Sequence, residues 1–193
     1  MKENDNVHKQ EGGWLAKTSY ALFDVGNSAV GAMHATFIFA VYFASAVAPE
    51  HGTSYWGYTT GAAALVVAIL GPILGGLADS KAQRKMFLAI VVLIGVMANV
   101  ILWKVEPSEA FIWFALIFSF FSILANELMF VFYNALLPSV ASKKNMGRVS
   151  GIGWAVGYFG AIIALVLALV VFIMPEEAPF GLDKENSEHV RAT

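Results

Sequence analysis

The 193-residue chain has no cysteine, and only 13% of its residues are Asp, Glu, Lys or Arg. The missing cysteine excludes disulfides, thiolate zinc sites and a cysteine nucleophile. A net charge of −2 without a basic stripe leaves nothing to attract a nucleic acid. No G-x-x-x-x-G-K-[ST] phosphate loop is present, so the chain has no engine for ATP-driven work. There is no H-E-x-x-H pair, and His8, His34, His51 and His189 are scattered, so no metal site is expected. A G-x-S-x-G nucleophile elbow is also lacking. These absences argue against an enzyme and call for no cofactor.

What the chain has instead is apolar surface. Hydrophobic residues make up 58% of it, against about 45–50% in a typical soluble domain. They fall into five blocks, at about 21–46, 55–78, 86–103, 110–137 and 152–174. Each is close to or above the ~18–20 residues that cross about 30 Å of hydrocarbon at 1.5 Å per residue. Helices are expected because lipid offers the backbone no hydrogen-bond partners. Barrel strands would alternate polar and apolar residues over ~10 positions, and these blocks do not. Ala44-Ser45-Ala46 resembles a signal-peptide cleavage site, but the preceding block is too long and contains Asp24. The expected fold is an all-α polytopic bundle at 18–174, preceded by a polar tail at 1–17 and followed by a polar segment at 175–193. Its first partner is the lipid bilayer.

The loops predict orientation. The tail carries Lys2, Lys9 and Lys17, the loop after the second block Lys81, Arg84 and Lys85, and the loop after the fourth Lys143, Lys144 and Arg148. These are nine of the twelve basic residues, all expected on one side. Positive charge stays in the cytoplasm, which places the amino terminus there and residues 175–193 outside.

Polar residues inside the blocks are the candidate site. Asp24, Asn27, Ser28, Gly31 and His34 share an arc of about 120° at 100° per residue. Asp24 lies near the cytoplasmic end and His34 about 15 Å deeper. In the fourth block Glu127 and Asn134 share one stripe, and Asn126 and Tyr133 the next. A charge far from either helix end costs a few kcal/mol, so Glu127 should face a cavity or a partner, or be neutral. Two readings stand side by side. In one, a polar cavity between the first and fourth helices binds a small solute, with Glu127 or Asp24 coupling protons. In the other, the same groups are interhelical hydrogen bonds that hold the bundle together. Gly153, Gly157 and Gly160 form a small-residue face on the fifth helix, suited to close packing.

Three segments carry a resemblance. Gly75-Gly76-Leu77-Ala78-Asp79-Ser80-Lys81-Ala82-Gln83-Arg84-Lys85 reads as a tight reversal between two helices, in which the glycines admit a close neighbour and Asp79, at a helix carboxyl end, needs a partner. It resembles the G-x-L-A-D-R-x-G-R-R/K loop of the major facilitator superfamily, keeping Gly75, Leu77, Ala78, Asp79 and Arg84. It departs from that pattern at Ser80, Ala82 and Gln83. Tyr20-Ala21-Leu22-Phe23-Asp24-Val25-Gly26-Asn27-Ser28-Ala29 resembles the opening of one branch of that superfamily. Phe132-Tyr133-Asn134-Ala135-Leu136-Leu137-Pro138 and Gly147-Arg148-Val149-Ser150-Gly151-Ile152-Gly153-Trp154-Ala155-Val156-Gly157-Tyr158 resemble two further signatures of it. That branch holds vacuolar amino-acid effluxers linked to autophagy, with bacterial relatives. The resemblance implies a secondary transporter of about twelve helices in two halves, with the first and fourth helices lining the central cavity. It implies a gating role for Gly75, Asp79, Arg84 and Lys85, a small solute such as an amino acid as partner, and an inner or vacuolar membrane. It also implies that this chain is the amino-terminal half, by truncation or a broken frame, with a sixth helix and a carboxyl-terminal half missing. The odd count of five spans favours a rival reading, a membrane scaffold or assembly subunit that transports nothing.

Overall fold

The computed structural model describes residues 12–193, so residues 1–11 of the expected tail lie outside the described residues. The described residues are helical with no strand, and five helices are long and apolar enough to cross a membrane. These are α1 (Trp14–Val47), α2 (Gly52–Ser80), α3 (Arg84–Leu102), α4 (Glu109–Val140) and α5 (Met146–Ile173). A short α6 (Glu188–Arg191) follows. The first helix starts at Trp14, inside the stretch expected as tail, rather than at the apolar boundary near Ala21.

Large apolar side chains on every span face outward, among them Ile69 on α2, Leu93 on α3, Ile117 on α4 and Ile162 on α5. The fully enclosed positions include Asp24, Asn27, His34, Ser119 and Ser122. This is the reverse of a soluble domain and is what a lipid solvent selects. Hydrocarbon takes the apolar faces, and polar groups turn toward other helices.

The helix pairs are unequal. α1 packs most extensively on α5, α3 on α4, and α2 also on α4. Near one end, Phe39, Tyr42, Phe43, Leu102 and Leu116 build an aromatic-rich core. Tyr42 donates its hydroxyl hydrogen to the Val105 carbonyl there, at 2.8 Å. Arg191 of α6 lies over the Trp103 ring, 5.3 Å from its centre, and donates to the Trp103 carbonyl at 2.7 Å. Toward the other end a second core joins Val91 of α3 to Leu128, Met129 and Phe132 of α4.

α1 is not a uniform helix. It is α-helical to Val30, then takes π-helical turns at Gly31–Phe37 and Phe43–Val47. A π turn inserts a residue and turns the following side chains relative to those before it. Asp24, Asn27 and Ser28 lie before the widening and His34 within it.

The start of α1 and two loops gather at one end of the bundle. Arg84 at the start of α3 donates to the Ala135 carbonyl of α4 at 2.9 Å. A side chain placed at Gly12 would come within 3.1 Å of the Val140 carbonyl, so the start of α1 adjoins the end of α4. Lys81, Lys85, Lys143, Lys144 and Arg148 are all exposed in this region.

Candidate functional site

The site is built where α1, α4 and α5 meet. Gly157 of α5 faces Asp24 so closely that an added methyl would run into the carboxylate and lie 3.0 Å from Ser28 Oγ. One turn on, a methyl at Gly160 would collide with Val25. One turn back, a methyl at Gly153 would sit 3.0 Å from the Tyr133 hydroxyl and 3.4 Å from the Tyr20 ring. Small residues let two backbones approach this far in a membrane. Here the approach sets Asp24 against α5 and encloses it almost completely, at 2% exposure.

α4 closes the third side. Asn126 Nδ2 donates to both the backbone carbonyl and Oδ1 of Asn27, at 3.1 and 3.0 Å. Toward the basic loops, the Tyr20 and Tyr133 rings stack with centres 4.0 Å apart, and the Tyr133 hydroxyl donates to the Tyr20 carbonyl at 3.1 Å. This aromatic pair caps the seam on that side.

On the other side of Asp24 lies a cavity of about 330 Å³. Asp24, Asn27, Ser28 and Asn126 supply its polar wall, and Phe130, Trp154 and Tyr158 its aromatic one. The rings form a chain, with centres 6.4 Å apart for Phe130 and Trp154 and 5.8 Å for Trp154 and Tyr158. Among the described residues no Lys, Arg or His lines this cavity. Asp24 Oδ1 and Asn27 Nδ2 are buried with no hydrogen-bond partner among them. An unpaired buried polar atom is expensive, most of all a carboxylate oxygen.

The other expected site residues are divided among different places. His34 is buried, but it lines a separate cavity with Asn99 and Arg191, and its ring stacks on Phe39 at 5.0 Å. Glu127 and Asn134 are exposed. On the turn after Glu127, Phe130 packs on Trp154 of α5, whereas Val131 lies against Gly71 and Gly75 of α2. Glu127 therefore sits on the open face of α4, between the directions of α2 and α5. It does not join Asp24. Trp154, Tyr158 and Phe130 are the lining residues that sequence reasoning left out. The available signal was two aromatic residues four apart beside Gly153 and Gly157, which puts rings and close-packing glycines on adjoining stripes of one helix.

At the basic end, Asp79 pairs with Arg84, Nε to Oδ1 at 2.5 Å. Arg84 also holds α4 through Ala135, so one guanidinium ties three helices. Gly75 meets Val131 at ordinary contact distance, and Gly76 has open space beside it. Ala82 holds the reversal with φ of 52°, a left-handed conformation.

These features define a multi-pass helical membrane protein with a polar, partly open seam in its interior. Residues 39–148 match the family model described as vacuole effluxer Atg22-like, and the chain belongs to that family. It is 32% identical over 173 residues to the uncharacterized MFS-type transporter YxiO of Bacillus subtilis (strain 168), covering 87% of this chain and 39% of the relative. It is 27% identical over 152 residues to an uncharacterized protein of Aquifex aeolicus (strain VF5), covering 79% of this chain and 38% of that one. The chain thus spans about two fifths of the length of the curated relatives it matches. No solved structure matches it.

Proposed function

We propose that this chain forms the amino-terminal half of a major facilitator secondary transporter, which moves a small solute by alternating access. The observation that carries the reading is the buried, unpartnered carboxylate oxygen of Asp24 on the wall of a cavity. Polar groups that serve only as glue between helices find each other. A buried carboxylate with an unpartnered oxygen, on a residue that also lines a cavity, is a group that an incoming solute or proton could satisfy. The name of the Bacillus relative and the description of the family support a carrier rather than an enzyme. Amino acids are the solute class that the resemblance to the vacuolar effluxer branch implies.

In this reading the basic loops lie in the cytoplasm. The membrane would be the inner membrane of a bacterium or the vacuolar membrane of a fungus. The Asp79–Arg84–Ala135 tie makes α2, α3 and α4 move together at that end. The carboxyl-terminal half supplies the facing wall, so the open face of α4 with Glu127 and Asn134 looks toward the solute path. Asp24 and Glu127 are then the two carboxyls able to take up a proton.

The test joins this chain to the second half of the Bacillus relative and measures labelled amino-acid flux in vesicles. Flux that requires Asp24 is expected, and Glu127→Gln should flatten its dependence on a pH gradient. A folded, inserted chimera that moves no solute would overturn the transport reading. Unchanged pH dependence in Glu127→Gln would remove that residue from the coupling step.

A further inference from the structure

We infer that the cavity beside Asp24 is an ammonium subsite, one that holds the protonated amine end of a solute and takes no part in holding a carboxylate. The inference rests on the transporter reading and makes it more specific.

Charge decides the sign of the ligand. The polar wall offers one acidic side chain, Asp24, with Oδ1 unsatisfied. No basic side chain lines the cavity among the described residues. An anion entering it would meet a buried like charge with nothing to offset it. A neutral hydroxyl would fill the hydrogen bond but leave the carboxylate without a counter-charge. A primary ammonium supplies both, because it carries a full charge and three donors.

The opposite wall fits the same ligand. Phe130, Trp154 and Tyr158 turn connected aromatic surface into the cavity. The negative face of such a ring attracts a cation and still accepts apolar carbon. At about 330 Å³, the space lies at the small end of ligand pockets. It suits an amine with a short aromatic or aliphatic body. The amide oxygen of Asn27 is already engaged by Asn126, and Ser28, Thr36 and Asn126 offer only neutral acceptors, which leaves Asp24 as the one acidic acceptor in the cavity among the described residues. An amino acid would place its ammonium here and its carboxylate elsewhere, so this chain alone should prefer the plain amine.

The test is calorimetric titration of the purified 193-residue chain in detergent micelles with 2-phenylethylammonium, 2-phenylethanol and 3-phenylpropionate. The three share a phenyl body and differ in charge. The ammonium is expected to bind at least about tenfold more tightly than the alcohol, and the carboxylate more weakly than either. Asp24→Asn should bring the ammonium down to the level of the alcohol. Trp154→Leu, at a residue 44% exposed and so no threat to folding, should weaken the ammonium more than the alcohol. Equal or tighter binding of the carboxylate, or an unchanged ammonium affinity in Asp24→Asn, overturns the inference. If the probes bind in a way that needs Asn126 and Trp154 but not Asp24, the solute site stands and the ammonium assignment falls. If no probe binds through any of these residues, both readings fall.

Discussion

The seam between α1 and α5 and the seam between α3 and α4 use the same materials to different ends. Each brings a glycine against its neighbour, and each buries polar side chains. Between α3 and α4, Asn99 donates to the Gly95 carbonyl and to Ser122 Oγ, both at 2.8 Å, so its amide hydrogens are spoken for. The glycine there, Gly95, faces the tip of Met129. Between α1 and α5, Gly157 faces a carboxylate, and an oxygen of that carboxylate has no partner. The first arrangement is interhelical glue. The second leaves an interaction incomplete on a residue that lines a cavity. Buried polarity alone did not separate the two readings of this sequence; whether that polarity is satisfied is the difference on which the proposed solute site rests.

The largest expected effect tests the packing side of the contrast. Gly157→Ala forces α1 from α5, because the methyl meets Asp24 and Ser28 within a closed seam. Overpacking of this kind costs about 1–3 kcal/mol, of which the gain in helix propensity on replacing glycine, about 1 kcal/mol, returns only part. Gly95→Ala places its methyl 3.1 Å from Met129 Cε and 3.3 Å from Ala125 Cβ. Met129 swings aside easily, and a gain in helix propensity of about 1 kcal/mol offsets the rest. Thermal unfolding in detergent should therefore show a clear loss for Gly157→Ala and little change for Gly95→Ala. Equal losses in the two variants would erase the distinction between the seams.

A smaller effect, of opposite sign, is expected outside both seams. Ala82 adopts a left-handed conformation that costs a residue with a Cβ about 1–2 kcal/mol. The related loop pattern has glycine at this position, and Ala82 is exposed, so no packing is lost on replacement. Ala82→Gly should raise stability by about 1 kcal/mol in the same unfolding assay and leave amine binding untouched. A stabilised loop that also changed binding would mean that the α2–α3 reversal is coupled to the α1–α5 seam.

Much of the fold was legible because lipid imposes it locally. Five apolar blocks and the alternation of basic loops required no knowledge of which helix touches which. That Asp79 needs a partner was readable for the same reason, since it closes a helix in a short basic turn; that the partner is Arg84 comes from the structure. The site was less legible. A helical wheel divides α4 into a Glu127–Asn134 stripe and an Asn126–Tyr133 stripe, but cannot say which one meets α1. The structure turns Asn126 and Tyr133 to α1 and leaves Glu127 on the open face. A uniform wheel also groups His34 with Asp24, whereas the two line different cavities and the π-helical turns from Gly31 onward lie between them. Trp154 and Tyr158 are not singled out by sequence because aromatic residues on an apolar helix look like lipid-facing side chains; only the packing of α5 on α1 shows that they line the same cavity as Asp24.

The smallest effect is the sharpest test of the principle. Asn99→Ala removes one hydrogen bond from α3 to α4, to Ser122, and one within α3, to the Gly95 carbonyl. Interhelical hydrogen bonds in membrane proteins average about 0.6 kcal/mol, because the separated helices find other partners. The variant should therefore unfold only slightly earlier than the parent. It should bind 2-phenylethylammonium with the parent's affinity, since Asn99 does not line the Asp24 cavity. Asp24→Asn should behave in the reverse way. It discards a charge whose oxygen had no partner to lose, so stability should hold or rise while binding collapses. If Asn99→Ala were the variant that lost the amine, the polar groups already paired would be the working ones, and an unfilled hydrogen bond would cease to be a guide to where this bundle meets its solute.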